Sequence, residues 1–229
     1  MVVPDMDEQT IRPGRRAPLD RERVLRAAMA VADGGGLAGL TIRSLATSLG
    51  VKPMSVYHHV AGKDEILDGI VDLVFAEIDL PVPGREWRGE MLRRARSARA
   101  VLVRHPWAVA LLESRTNPGP ATLRHHDATI GTLRAGGFPV PLTAHAFALL
   151  DSYIYGFVIQ EVAQPLRAPE ETTAATEAIM AGFAAGEYPH LVEMATEHIL
   201  RPGYSFGDEF EYGLTVVLDA LAAALAESR

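Results

Sequence analysis

The sequence predicts an all-α protein, and three observations predict it. Apolar residues recur at three- and four-residue spacing from Asp20 to the C-terminus. No segment carries the strict alternation or β-branched clustering of a strand. The periodic segments are separated by glycine and proline punctuation, as at GGG 34–36, LPVPG 80–84, TNPGP 116–120 and RPGYSFG 201–207. The chain of 229 residues is 48% hydrophobic, enough for one large or two modest domains with a proper core. It has no cysteine, which excludes a disulfide framework and thiolate metal sites and suits a reducing cytoplasm. Charge or glycine interrupts the longest apolar runs, so none is read as a membrane span. The first residues are acidic where a signal peptide needs a basic and then an apolar stretch.

Residues 1–18 are Pro-, Arg- and polar-rich without periodicity and read as a flexible arm. Arg12, Arg15 and Arg16 would reach phosphates if a neighbouring module sat on DNA. Asp20 caps a first helix over about Arg21 to Asp33, with Val24, Leu25, Ala28, Val31 and Ala32 inward; the glycine run should stop it. Thr41 is the next N-cap, and Ile42, Leu45, Ala46 and Leu49 share one face of a second helix. Gly50 provides a sharp turn and Val51 an apolar plug. Pro53 opens a third helix, to about Val60, with Val56 and Val60 inward. Two short helices joined through a glycine, the second with a polar outer face, make a helix-turn-helix. An ordinary helical hairpin is the alternative.

Asp64 is expected to cap a longer fourth helix to about Ile78, whose wide apolar face needs partners on more than one side. LPVPG marks the domain boundary. Helices then follow over about Trp87–Arg104, with its arginines outward; a short one to Glu113; Ala121–Ala135; Ala144–Gln164; 169–184; Pro189–Leu200; and, capped by Asp208, a last one to Glu227. The expected architecture is an N-terminal three-helix helix-turn-helix DNA-binding domain over 19–79, joined by the long fourth helix to a helical ligand-binding and dimerisation domain over 85–229. The net charge of −7 divides unevenly: residues 1–63 carry +3 and residues 64–229 carry −10. A mildly basic head on an acidic body suits a nucleic-acid reader with a second domain.

From Asp20 to Ile78 the chain resembles the N-terminal domain of the TetR family of transcriptional regulators. The resemblance rests on a first helix ended by glycines, then GLTIRSLATSLGV, then VYHHVAGKDEIL. The His105-Pro106-Trp107 break, the apolar helix around Tyr155-Gly156-Phe157 and the final FEYGL helix resemble the tetracycline-repressor type of C-terminal domain. The resemblance implies a homodimer, a ligand cavity in each body, and release from operator double-stranded DNA when a small-molecule effector binds. It also implies backbone-clamp roles for Thr41, Arg43, Tyr57 and Lys63. The chemistry of the third helix offers Lys52, Met54, Ser55 and His58 to the major groove and His59 to a phosphate.

The apolar helices 144–164 and 208–227 are expected to pair across a two-fold axis, through Phe210, Leu214, Val217, Leu218 and Leu221 on the last. Candidate cavity residues are Phe75, His105, Trp107, Leu111, His126, Tyr153, Phe157 and Gln160. Aromatics with a few polar groups suit a mostly apolar molecule. His105 falls where the tetracycline repressor has a metal-binding histidine, but Ala76-Glu77-Ile78-Asp79 lacks the drug-binding residues expected there, and Gln160 replaces an acidic one. No metal and no cofactor is expected. There is no H-E-x-x-H, G-x-S-x-G or P-loop motif, so the chain is expected not to be an enzyme. The alternatives are a helical interaction protein and a regulator without a small-molecule ligand. The expected location is cytoplasmic.

Overall fold

The computed structural model describes residues 18–112, 114–115, 117–163, 176–178, 180–183 and 186–228. All regular structure among them is helical. The N-terminal arm, apart from residue 18, lies outside the described residues, as do 169–175, 179 and 184 of the segment 169–184; within it 176–178 and 180–181 are helical.

Helix α1 spans Arg21–Gly39 and opens at Asp20, whose carboxylate accepts from Arg23 N at 2.8 Å. It runs through Gly34 and Gly35 and is kinked at Gly36 (φ 63°), so the glycine run bends the helix where the sequence reading stopped it at Asp33. Leu37 and Gly39 then carry the chain to α2, Ile42–Leu49. Thr41 caps α2 in a reciprocal arrangement: its hydroxyl accepts from Ser44 N, and Ser44 Oγ accepts from Thr41 N. Gly50 ends α2 in the left-handed region (φ 67°), and Val51 N returns to Ala46 O.

The third helix is shorter than expected. α3 covers only Pro53–Val56, and Tyr57, His58 and His59 form a turn before buried Val60. α4 spans Lys63–Glu77 and begins at Gly62, not at a capping Asp64; Asp64 lies inside its first turn. Glu65, also in that turn, accepts from Ala61 N and Arg21 Nε, tying the hairpin to α1.

The 80–84 segment is held down by Arg93, which donates to Leu80 O, and by Glu90, which accepts from Val82 N. α5 (Trp87–Arg104) is capped by Glu86. Its arginines are not simply outward. Arg94 is fully buried, Arg99 pairs with Glu161, and Arg96 forks onto Glu211. α6 (Pro106–Leu112), α7 (Pro120–Ala135) and α8 (Val140–Ala163) follow; α8 begins inside the expected 139–143 loop. α9 (Pro189–Met194) continues as a π-helical turn, Ala195–Ile199. A 3₁₀ turn, Phe206–Asp208, precedes α10 (Glu209–Glu227), and Asp208 makes no side-chain cap bond to it.

The head packs α1 against α2 and α4, and the body packs α5, α7, α8 and α10 together. α4 belongs to both, since it also contacts α6 and α7. α8 alone among the described helices is long and apolar enough to cross a membrane (mean hydropathy 1.4). Its Asp151 is buried in an ion pair with Arg94, and it packs on α5, α6, α7 and α10, which marks the central helix of a core. Its apolarity serves burial inside the body.

Candidate nucleic-acid interface and effector pocket

The helix-turn-helix puts its polar residues outward. Thr41, Arg43, Lys52, Met54, Tyr57, His58 and Lys63 are exposed, and Ser55 and His59 are half-buried. Met54 is 68% and Tyr57 46% exposed, side by side with the cations of the same face. Arg43, Lys52 and Lys63 form no ion pair among the described residues, whereas Arg93, Arg94, Arg96, Arg99, Arg104 and Arg115 of the body are all paired. Free cations therefore border the hairpin. Behind them Leu45, Ala46, Leu49, Val56 and Val60 are buried, so the outer face stands on a packed base. Thr41's hydroxyl is already engaged in the α2 cap, leaving its capacity as an outward donor reduced.

A pocket of about 210 Å³ lies at the junction of α4, the α6–α7 connection, α7 and α8. Phe75 and His126 line it, joined by Asp68, Val71, Leu112, Arg115, Thr122 and Tyr155. Arg115 spans its mouth: its guanidinium donates to Asp68 at 2.5 Å and to Asp64 at 3.1 Å, both on α4. Asp72, one turn further along α4, accepts from the backbone and hydroxyl of Thr122 at the start of α7. Three successive carboxylates of α4 thus bind the body.

The other six candidate cavity residues do not line this pocket. His105 and Trp107 instead grip the head. Asp33 Oδ1, on α1, accepts from His105 Nδ1 and from Trp107 Nε1, each at 2.7 Å. His105 Nε2 stands 3.3 Å from Glu77 Oε2, which also accepts from Arg104. Burial pushes the Glu77 carboxyl up, but hydrogen bonds from Arg104 and His105 outweigh it and leave its pKa below the usual value. Leu111 is buried in the core. Tyr153 and Phe157 stack with Phe206 and Phe210 beneath α10, and Gln160 is exposed.

Four of the five expected dimer-interface residues are corrected for the same reason. Phe210, Leu214, Leu218 and Leu221 are buried within the single chain, facing α8 and α5, and Val217 is half-buried. The stripe at three- and four-residue spacing is the core side of α10. Its other side presents Tyr212 and Val216 to solvent.

Residues that the sequence reading passed over form the polar centre of the body. Arg94 of α5 donates through Nη2 to Asp151 of α8 at 2.5 Å, and through Nε to His125 Nε2 of α7 at 3.4 Å. Burial first, and then the Arg94 charge, lowers the His125 pKa from 6.5 to about 3, so the ring is neutral. Arg94 Nη1 and His125 Nδ1 are buried without a hydrogen-bond partner among the described residues. One signal pointed there: Arg94 sits three residues after Met91 and four before Ala98, on the apolar side of its helix.

Comparisons with known proteins follow the same division into head and body. Residues 24–70 match the family model "Bacterial regulatory proteins, tetR family" and residues 80–225 match "Tetracyclin repressor-like, C-terminal domain". The HTH-type transcriptional repressor DrrR1 of Streptomyces coeruleorubidus is 30% identical over 227 residues, covering 94% of this chain and 82% of the relative. The class A tetracycline repressor from transposon 1721 of Escherichia coli is 29% identical over 214 residues, covering 89% and 91%. Among solved structures, the TetR family protein ActR of Streptomyces coelicolor in complex with actinorhodin superposes with a TM-score of 0.77 at 26% identity, over 93% of this chain and 100% of that one.

Proposed function

The chain belongs to the TetR family of bacterial regulatory proteins, and from that membership we propose how it works as a ligand-responsive transcriptional repressor. The head, residues 19–79, reads operator DNA, and the body, residues 85–229, dimerises and binds the effector. Lys52, Met54, Ser55 and His58 meet base edges in the major groove, while Arg43, Tyr57, His59 and Lys63 hold phosphates. Thr41 contributes chiefly by capping α2. The observation that carries this reading is the outward hairpin face, where Met54 and Tyr57 stand exposed beside unpaired Arg43, Lys52 and Lys63.

Two copies associate through the outward sides of α8 and α10, where Leu149, Ile159, Tyr212 and Val216 are exposed. Paired across a two-fold axis these helices make a four-helix interface. The two heads then read half-sites about 34–36 Å apart. The effector occupies the body, in the pocket walled by Asp68, Val71 and Phe75 of α4. Its occupancy bears on α4, which begins where the hairpin ends. A ligand that favours a displaced α4 lowers operator affinity by its difference in affinity for the two arrangements. The protein acts in the cytoplasm, with the DNA, as a regulator and not as an enzyme.

Footprinting on the DNA upstream of the chain's own coding sequence tests the reading. Wild type should protect a two-fold symmetric site with steep salt dependence. Lys63→Ala should weaken binding on all sequences alike and lower the salt slope by about 2, one phosphate contact being lost from each of the two heads. A folded Tyr57→Phe, Lys63→Ala protein that bound as tightly as wild type would remove the clamp assignment.

A further inference from the structure

The pocket beside α4 is small for the work assigned to it. Its volume of about 210 Å³ falls short of the roughly 300–1,000 Å³ usual for sites that enclose drug-sized ligands. An effector of that size is wholly enclosed only if a wall moves back. The inner wall is made by the Phe75 and His126 rings, set edge to face at 5.4 Å. His126 in turn meets the Phe147 ring edge-on at 5.3 Å. Phe75 also meets His125, which does not line the pocket, with ring centroids 5.3 Å apart, and His125 adjoins the buried Arg94–Asp151 pair.

The chemistry of that cluster is one-sided. A guanidinium only donates, so His125 Nε2 is the acceptor in the bond from Arg94 Nε. The neutral ring therefore carries its proton on Nδ1. Nδ1–H and Arg94 Nη1–H are both buried donors without a partner among the described residues, a costly condition in a low-dielectric interior. Asp151 already balances the charge of Arg94. The cluster thus lacks an acceptor and has no need of a second negative charge, which favours a neutral carbonyl oxygen over a carboxylate.

We propose that the effector is a mostly apolar molecule bearing a carbonyl oxygen, which displaces Phe75 and accepts from His125 Nδ1–H, with Arg94 Nη1–H as the neighbouring donor. The inference rests on the effector-binding reading above and gives it a ligand class. It also supplies the stroke. Phe75 belongs to α4, so the side chain that yields to the ligand sits on the helix that leads to the hairpin.

Two probes separate the carbonyl from the ring system: anthraquinone-2-sulfonate and anthracene-2-sulfonate, which differ in the two carbonyl oxygens. In calorimetric titrations of the full chain, the quinone should bind wild type about tenfold tighter or more. His125→Leu should abolish that preference. His125→Asn, which places an amide N–H near the position of Nδ1–H, should retain it. If His125→Leu does not fold, the wild-type Nδ1–H resonance serves instead: the quinone must move it downfield, as a new hydrogen bond does, and the hydrocarbon, which only displaces the Phe75 ring, must not. Equal affinity for the probes, binding of neither, an unmoved resonance, or a preference that survives His125→Leu overturns the proposal; in each case a buried water is left as the partner of the two donors. Operator binding without any probe is measured alongside. A chain that binds DNA but shows no preference between the probes loses the carbonyl assignment and keeps the DNA-binding one.

Discussion

Burying a neutral histidine makes the fold sensitive to mild acid, and the size of the effect follows from His125. Its pKa is 6.5 ordinarily and about 3 in the folded chain, chiefly through burial and then through the Arg94 charge. Below about pH 6.5 the unfolded chain takes up a proton at this ring that the folded chain refuses. The unfolded state then binds more protons, so stability falls as pH falls, and the fall levels off only near pH 3. The limiting slope is about 1.4 kcal/mol per pH unit, which amounts to about 2 kcal/mol between about pH 7.5 and pH 5. That is a large fraction of a typical total of roughly 5–15 kcal/mol. The carboxyls held low by their partners, Glu65, Glu77, Glu90 and Glu211, act in a different window. Their contribution is present above the usual carboxylate pKa and is lost below it, as pH falls through their folded values. Urea titrations at fixed chain concentration at several pH values between about 5 and 7.5 should therefore show wild type losing about 2 kcal/mol that His125→Asn does not lose. Parallel pH dependence in the two proteins would refute the assignment of a buried, neutral His125.

Trp107→Phe removes the indole donor to Asp33, whose side chain is 32% exposed and so can turn to water; a loss of about 1 kcal/mol is expected in urea titration. Gly69→Ala places a methyl 2.6 Å from Leu25 Cδ2, where α1 and α4 touch. Overpacking of about 1–3 kcal/mol outweighs the helix-propensity gain of about 1 kcal/mol, so the thermal midpoint should drop. The double variant Tyr212→Asp, Val216→Asp charges the outward side of α10 without touching its core side; it should sediment as a folded monomer where wild type sediments as a dimer.

Local features of the head were legible because they depend on neighbours in sequence. The Asp20 and Thr41 caps, the left-handed Gly50 and the Pro53 helix start each involve residues within a few positions of one another. Errors arose where a tertiary contact decided. Gly34 and Gly35, exposed and themselves facing open space, stay helical despite poor propensity next to Asp33, which His105 and Trp107 hold. α10 is apolar on more than one side, so spacing alone did not separate the side facing α8 and α5 from the side facing outward. The candidate cavity was the least legible part. Asp33 meets His105 and Trp107 across 72 and 74 residues, and Arg94 meets Asp151 across 57. Nothing in the periodicity of either partner names the other. Phe75 and His126 stood among eight candidates chosen as aromatic or polar groups on apolar helices, and nothing in the sequence set them apart from the other six.

One oxygen of Asp33 receives both the imidazole and the indole of the body. The reading head is therefore joined to its body covalently through α4, by the α4 carboxylates that hold Arg115, Thr122 and Arg104, and, from α1, by this oxygen. A chimera cut at 80–84 would inherit the covalent join and lose the others, since Asp33, Asp64, Asp68 and Asp72 would travel with the head while His105, Trp107, Arg115 and Thr122 stayed behind. Exchange of heads between relatives should preserve operator choice yet disturb how faithfully the body is heard, unless the carboxylates of α1 and α4 and their partners in the body are carried across together. The boundary visible in the sequence separates two folds, but the unit that can be transplanted with its response intact extends through α6 to the start of α7.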